Sequence, residues 1–198
     1  ESQNADAIAK AADDGKSTSF ALAAEKVLKM NVSVAVDRLQ AENVVGLIPG
    51  SDPKLSAEFI AMSAHLDHLG MRPGNPPQIY NGADDDGSGT VSILELAHAF
   101  ATSPKRPKRS MLFIWHSGEE KGLWGSAYYS DHPTVDIKNL VSDLNIDMIG
   151  RSKRPGDTNK LNAVLTGENE IYVVGASMIS PELGDVCRAV NKKLYNLS

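Results

Sequence analysis

Three adjacent carboxylates, Asp84, Asp85 and Asp86, stand in the stretch NGADDDGSGTVSILELA at residues 81–97, where a Gly-rich turn runs straight into a helix-patterned segment. Like charges this close oppose one another's ionisation. The run therefore needs full solvation or a cation among its oxygens, because the N–H groups at a helix start offset only part of the repulsion. Behind the turn, Ile93, Leu96, Ala97 and Phe100 recur at the helical period, which predicts an amphipathic helix.

Two metal readings of this stretch compete. Residues 84–95 read D-D-D-G-S-G-T-V-S-I-L-E and meet the spacing of an EF-hand calcium loop, with Asp84, Asp86 and Ser88 as oxygen ligands, Gly89 at the turn and Glu95 closing the site. An EF-hand also needs an entering helix. Residues 71–83 carry Pro73, Gly74, Pro76, Pro77 and Gly82, a composition that breaks helices. In the other reading the aspartates are one corner of a site assembled from several strand ends.

The rest of the chain favours the second reading. From residue 59 onward, short continuous apolar runs alternate with helical patterns, the signature of a largely parallel α/β sheet buried on both faces. Residues 59–64 end at His65-Leu66-Asp67, residues 111–115 lead to Glu119-Glu120, residues 140–146 end at Asp147, and residues 171–175 lead into a helix over 181–194. Ligands of open α/β sheets bind beyond the carboxyl ends of the strands, so His65, the aspartate turn, Glu119, Glu120 and Asp147 are expected to converge. Upstream, residues 1–17 read as a polar lead-in, residues 19–29 as a helix, and Val32, Val34 and Val36 as a strand antiparallel to a second one over 43–48.

Composition narrows the partners. With 41% hydrophobic and 23% charged residues among 198, the chain has the make-up of a soluble globular protein, and no apolar run approaches membrane-spanning length. A net charge of -5 argues against nucleic acid, and the basic run at residues 105–109 reads as a solvated loop. The single cysteine, Cys187, excludes an intrachain disulfide and a thiolate-rich metal site.

An imidazole with several carboxylates and no thiolate suits zinc, manganese or cobalt. A carboxylate can bridge two such ions, and a pair of ions can polarise a carbonyl while supplying a hydroxide nucleophile. Of two neighbouring glutamates, one can hold metal while the other stays free as a general base. Asp67 stands where it can accept the second N–H of His65. Each residue alone also has a plain structural role, as a cap, a helix-start anion or a buried turn residue. His68, His98, His116 and His132 have no comparable support from position.

The segments SAHLDHLG, NGADDDGSGTVSILELA, FIWHSGEEKGLWGSAYY and LNIDMIGR, in this order and approximate spacing, resemble the co-catalytic zinc aminopeptidases of metallopeptidase family 28, over residue 43 to the C-terminus. The resemblance implies a three-layer α/β/α sandwich with a mixed, mostly parallel central sheet, incomplete at its C-terminus, with residues 18–198 forming the N-terminal portion of a catalytic domain. It implies zinc held by His65, Asp85 and Asp147, a second zinc shared through Asp85 with Glu120, Glu119 as general base, Asp67 behind His65, and a cis peptide at Asp85-Asp86. It further implies a peptide substrate, an aminopeptidase reaction and a secreted or periplasmic setting. A final histidine is expected from a segment beyond Ser198, so the 198 residues are expected to hold one zinc ion tightly and to be weakly active. Retention of two ions would mean that another imidazole, His68 or His116, fills the gap. A glutaminyl cyclase or carboxypeptidase on the same fold, the calcium loop, and a non-catalytic module are the alternatives; intact His65 and Asp147 disfavour the single-zinc cyclase type.

Overall fold

In a computed structural model of the chain, residues 5–16, 24–26, 29 and 31–197 are described. The backbone divides into two units, Glu1–Leu39 and Gln40–Ser198. In the first, the polar lead-in forms a helix, α1 (Ala5–Asp13). Its end is closed by Gly15 N–H on the Ala12 carbonyl at 2.9 Å and Lys16 N–H on the Ala11 carbonyl at 2.8 Å, with Gly15 at φ 71°. Those paired bonds are how a left-handed glycine satisfies the last carbonyls of a helix. The helix expected over 19–29 lies largely outside the described residues, and within it residues 24–26 and 29 are turn or coil.

The second unit runs β1 (Val44–Ile48), β2 (Phe59–His65), β3 (Gly70–Arg72), β4 (Gln78–Tyr80), α2 (Gly87–Thr102), β5 (Ser110–His116), α3 (Trp124–Asp131), β6 (Leu140–Asn145), α4 (Ala176–Ile179) and α5 (Pro181–Leu194). The main sheet has the order β1-β5-β2-β6; β2 is parallel to both β5 and β6, and β1 is antiparallel to β5. It is an α/β/α sandwich with a mixed, mostly parallel sheet. Strands β3 and β4 form a separate antiparallel pair.

Burial explains why β2 and β5 lie in the middle. Met111, Leu112, Phe113 and Ile114 are all 4% exposed or less, as a run apolar on both faces requires. On one face α2 presents Ile93, fully buried, and Phe100, whose ring lies 6.3 Å from that of Phe113. The Trp115 indole donates to the Thr90 carbonyl at 3.1 Å on the same helix. On the opposite face Tyr129 of α3 packs with Ala61, Leu112 and Ile114. The Asn43 amide ties the layers at one end: its oxygen accepts from Ser117 N–H at 3.0 Å and its nitrogen donates to the Gly125 carbonyl at 2.8 Å.

Two expected strands are absent. Val32, Val34 and Val36 form no strand and are 73% to 80% exposed, while β1 takes its ladder from β5, Val44 opposite Trp115, rather than from them. Residues 171–175 likewise form no strand, and Ile171, Tyr172, Val173 and Val174 are between 52% and 92% exposed. Apolar and β-branched runs favour a half-buried pleated surface, but a strand exists only where a neighbour takes its backbone groups, and neither run has one among the described residues. No described helix is long and apolar enough to cross a membrane.

The first turn of α2 tests this packing. A Cβ on Gly89 would lie 2.5 and 2.6 Å from the two Asp86 carboxylate oxygens and closer still to the Ile146 carbonyl. Helix propensity alone favours alanine over glycine by about 1 kcal/mol, yet overpacking here reverses the sign. Gly89→Ala is expected to destabilise the fold by about 3 kcal/mol, read from the urea midpoint. Gly46→Ala, whose Cβ would meet only the Phe113 Cβ at 3.9 Å, should move it far less.

Candidate metal centre

The structure gives each of the three aspartates a different task. Asp86, 2% exposed, caps α2 by accepting from Gly89 N–H at 2.9 Å, and also accepts from His65 N–H at 3.1 Å and Met148 N–H at 3.3 Å. Burial pushes its carboxyl above the ordinary aspartate value, and the three N–H donors pull against that. Asp84 turns the other way, accepting from Gly150 N–H at 2.8 Å with Arg151 Nε 3.6 Å away. Asp85, joined to Asp86 through a cis peptide, is left facing the ends of the strands.

His65 ends β2 with its side chain 3% exposed. Its Nε2 lies 3.1 Å from Asp85 Oδ1 and 3.9 Å from both Asp147 Oδ2 and Glu119 Oε2. Its Nδ1 is 2.8 Å from the Asp67 carbonyl. A carbonyl can only accept, so Nδ1 carries the proton and a neutral ring offers its Nε2 lone pair to the carboxylates. Burial works against a charged imidazole, but the Asp67 carbonyl and the charges of Asp86, Asp147 and Glu119 outweigh it, leaving the His65 pKa raised.

Glu119 and Glu120 follow β5 on a single tight turn bounded by Gly118 at φ 71° and Gly122 at φ 109°. Glu120 Oε1 comes within 2.6 Å of His68 Nδ1, which lies 3.8 Å from Asp85 Oδ2. Two groups of candidate donors result, His65 with Asp85 and Asp147, and His68 with Asp85 and Glu120, each with ligand atoms within 4.8 Å of one another. Asp85 belongs to both. Burial raises the carboxyls of Glu119 and Asp147, with Asp85 and Glu120 adding to it in each case and His65 opposing it. Among the buried atoms without a hydrogen-bond partner are His65 Nε2, His68 Nδ1 and Glu120 Oε1. Leaving such atoms unpaired costs about 1 to 3 kcal/mol each. Divalent cations of borderline softness satisfy them and the crowded carboxylates together, so the residues present fit a pair of such ions.

The sequence-predicted residues His65, Asp85, Asp147, Glu119 and Glu120 thus meet at the strand ends. Asp67 is close, but its backbone carbonyl rather than its carboxylate takes the His65 hydrogen bond; the carboxylate oxygen stays 3.9 Å from Nδ1. The calcium loop does not form: Ser88 and Gly89 already belong to α2, the chain enters from a strand, and the Glu95 side chain is 80% exposed beside His98. His68, which the sequence reading left without support from position and named with His116 only as a fallback imidazole, falls in the second donor group. Its signal is its place three residues after His65 in the same post-strand segment, but an irregular segment has no period to say which way a side chain faces. His116 points elsewhere, edge-on to Tyr129 with ring centroids 6.2 Å apart, and burial pushes its pKa down.

Two substitutions check these assignments. Glu95→Gln should leave zinc content after dialysis unchanged, whereas loss of the metal would restore the calcium-loop ligand set. Asp67→Asn keeps the backbone acceptor, so zinc affinity measured by chelator competition should fall by less than about tenfold, at or below the low end for losing a ligand's hydrogen-bond partner. A larger loss would give the carboxylate the role assigned here to the carbonyl.

Comparison with known proteins places this geometry. The model of peptidase family M28 matches residues 43–186. The chain is 33% identical over 118 residues to a probable leucine aminopeptidase of Trichophyton verrucosum, covering 58% of this chain and 31% of that protein. It is 31% identical over 113 residues to an aminopeptidase of Bacillus subtilis, covering 57% of this chain and 22% of that one. A solved zinc aminopeptidase from Bacillus subtilis aligns at 30% identity over 55% of this chain and 24% of its own, with a TM-score of 0.43. The chain spans about a third or less of the length of the curated relatives it matches. With most of its length inside the family match, and with the metal-ligand candidates inside it too, the chain belongs to peptidase family M28.

Proposed function

We propose that the protein carrying this chain is a zinc aminopeptidase that removes N-terminal residues from peptides. The observation that supports it most is the sharing of Asp85 between two donor groups, with Glu119 beside them and in neither. Two ions held there would polarise a peptide carbonyl and make a nucleophile available near neutral pH. Glu119, with an oxygen 3.9 Å from His65 Nε2 and about a third of its side chain exposed, is placed to take up a proton and pass it to the departing amine. Glu120, turned toward His68, has the separate task of holding metal.

The anionic surroundings suit a substrate with a free ammonium terminus. A cavity of about 420 Å³ opens beside Asp147, lined by Met148, Ile149, Leu165 and Tyr172 with Arg151 and Glu170, and offers apolar surface to a neighbouring side chain. The relatives named as leucine aminopeptidase or aminopeptidase support the same reading. Possession of both donor groups favours it over a single-zinc cyclase. A secreted or periplasmic setting belongs to the proposal on the strength of the resemblance alone.

The role of Glu119 is the point to test. In the protein that carries this chain, Glu119→Gln should lower kcat on a chromogenic amino-acid amide by about 100-fold or more, with zinc content unchanged. A normal rate, or loss of zinc, would reject the assignment.

A further inference from the structure

Resting on the aminopeptidase reading above, we propose that Arg151 reads a carboxylate of the peptide being cut, binding it through the two terminal nitrogens of its guanidinium. That carboxylate is either the C-terminal one of a dipeptide or that of an acidic first side chain. The chemistry of recognition is the same for both.

The backbone that carries Arg151 is fixed residue by residue. Just past Asp147, three consecutive N–H groups are taken up by the start of α2: Met148 donates to Asp86 Oδ1 at 3.3 Å, Ile149 to Ser88 Oγ at 3.1 Å and Gly150 to Asp84 Oδ1 at 2.8 Å. Gly150 permits this approach, since a Cβ there would lie 2.9 Å from Ser88 Cβ and 3.0 Å from Asp84 Oδ1. Arg151 therefore extends from a held segment, the kind of support a recognition residue needs.

The plain alternative is that Arg151 only neutralises Asp84. Its Nε lies 3.6 Å from Asp84 Oδ2, too far for a hydrogen bond, and that buried oxygen has no hydrogen-bond partner. A counter-ion built to satisfy Asp84 would close onto it. The Arg151 side chain instead stays 54% exposed, and no acceptor among the described residues takes any of its N–H donors. Asp84 thus sets where the charge sits while the terminal nitrogens remain available.

The cavity beside Asp147 supplies the place for a ligand. Arg151 is the one cation in its wall, which it shares with Asp147 and Glu170. Glu170 is already engaged, one carboxylate oxygen accepting from Gly167 N–H at 2.6 Å, and Asp147 belongs to the donor group around His65. A peptide drawn by its ammonium end toward the carboxylates at the strand ends meets in this wall a single complementary point for a negative group.

Paired substrates that differ only in that charge provide the test. With the zinc-loaded protein that carries this chain, kcat/KM is measured for leucyl-glycine against leucyl-glycinamide, and for the α-anilide of glutamate against that of glutamine. Wild type should favour one acid over its neutral partner by about tenfold or more, through KM, as hydrogen bonds to a charged group provide. The pair that shows the preference identifies which carboxylate is read. Arg151→Met should bring that ratio close to one, and Arg151→Lys should restore part of it. A merely structural role would depress both members of a pair alike and keep the ratio. Matching unfolding midpoints confirm that the variants fold; should Arg151→Met not fold, the neutral Arg151→Gln decides in its place. Ratios near one for both pairs in wild type, or a ratio that survives loss of the charge, would overturn the assignment and leave the peptidase reading standing. No turnover of any of the four substrates by wild type would overturn both.

Discussion

The buried carboxylate of Asp86 joins the parts on which everything else in this site depends. Its oxygens accept N–H groups from Gly89 at the start of α2, from His65 at the end of β2 and from Met148 just after Asp147. Three segments far apart in sequence are thus pinned to one side chain that is 2% exposed. Hydrogen bonds to an ionised acceptor are worth about 1.5 to 3 kcal/mol each, and the three here offset part of the cost of burying the carboxylate. The position of Asp86 also determines where its neighbour goes, because with Asp86 turned inward and Asp84 bound to Gly150, Asp85 is the residue presented to the strand ends.

What the joint gathers is electrostatically unfavourable by itself. Asp85, Asp147, Glu119 and Glu120 crowd around His65 and His68, and the raised carboxyls of Glu119 and Asp147 reflect burial and that mutual repulsion. A fold that assembles such a cluster without a cation carries a cost, which divalent ions held there would convert into stabilisation. Fold and metal would then be coupled: the sheet positions the donors, and ions held by them would relieve the charge the sheet has concentrated. Packing on both faces, Ile93 and Phe100 on one and Tyr129 on the other, keeps β2 and β5 rigid enough to do so.

Local pattern carried much of this. The continuous apolar runs at β2, β5 and β6, the periodic face of α2, and Ser180-Pro181 at the start of α5 are signals that act within a few residues, and the structure follows them. The same kind of signal failed at Val32–Val36 and at residues 171–175, because strand propensity is satisfied only by a partner ladder and no short window contains the partner. The lead-in helix α1 was equally hard to read, being short and mostly polar.

By itself the sequence determined the class of the protein and the chemistry available to it: a parallel-sheet pattern, carboxylates and an imidazole placed at successive strand ends, no thiolate set, and ordered segments specific to one peptidase family. Those properties reside in residue types and short spacings, which the chain states directly. Tertiary structure alone decided which aspartate of the three faces the site, that the Asp67 carbonyl rather than its carboxylate orients His65, and that His68 turns toward Glu120. Each of these depends on the direction of a side chain in an irregular segment, where no helical or strand period exists, so only contacts with residues distant in sequence could set it.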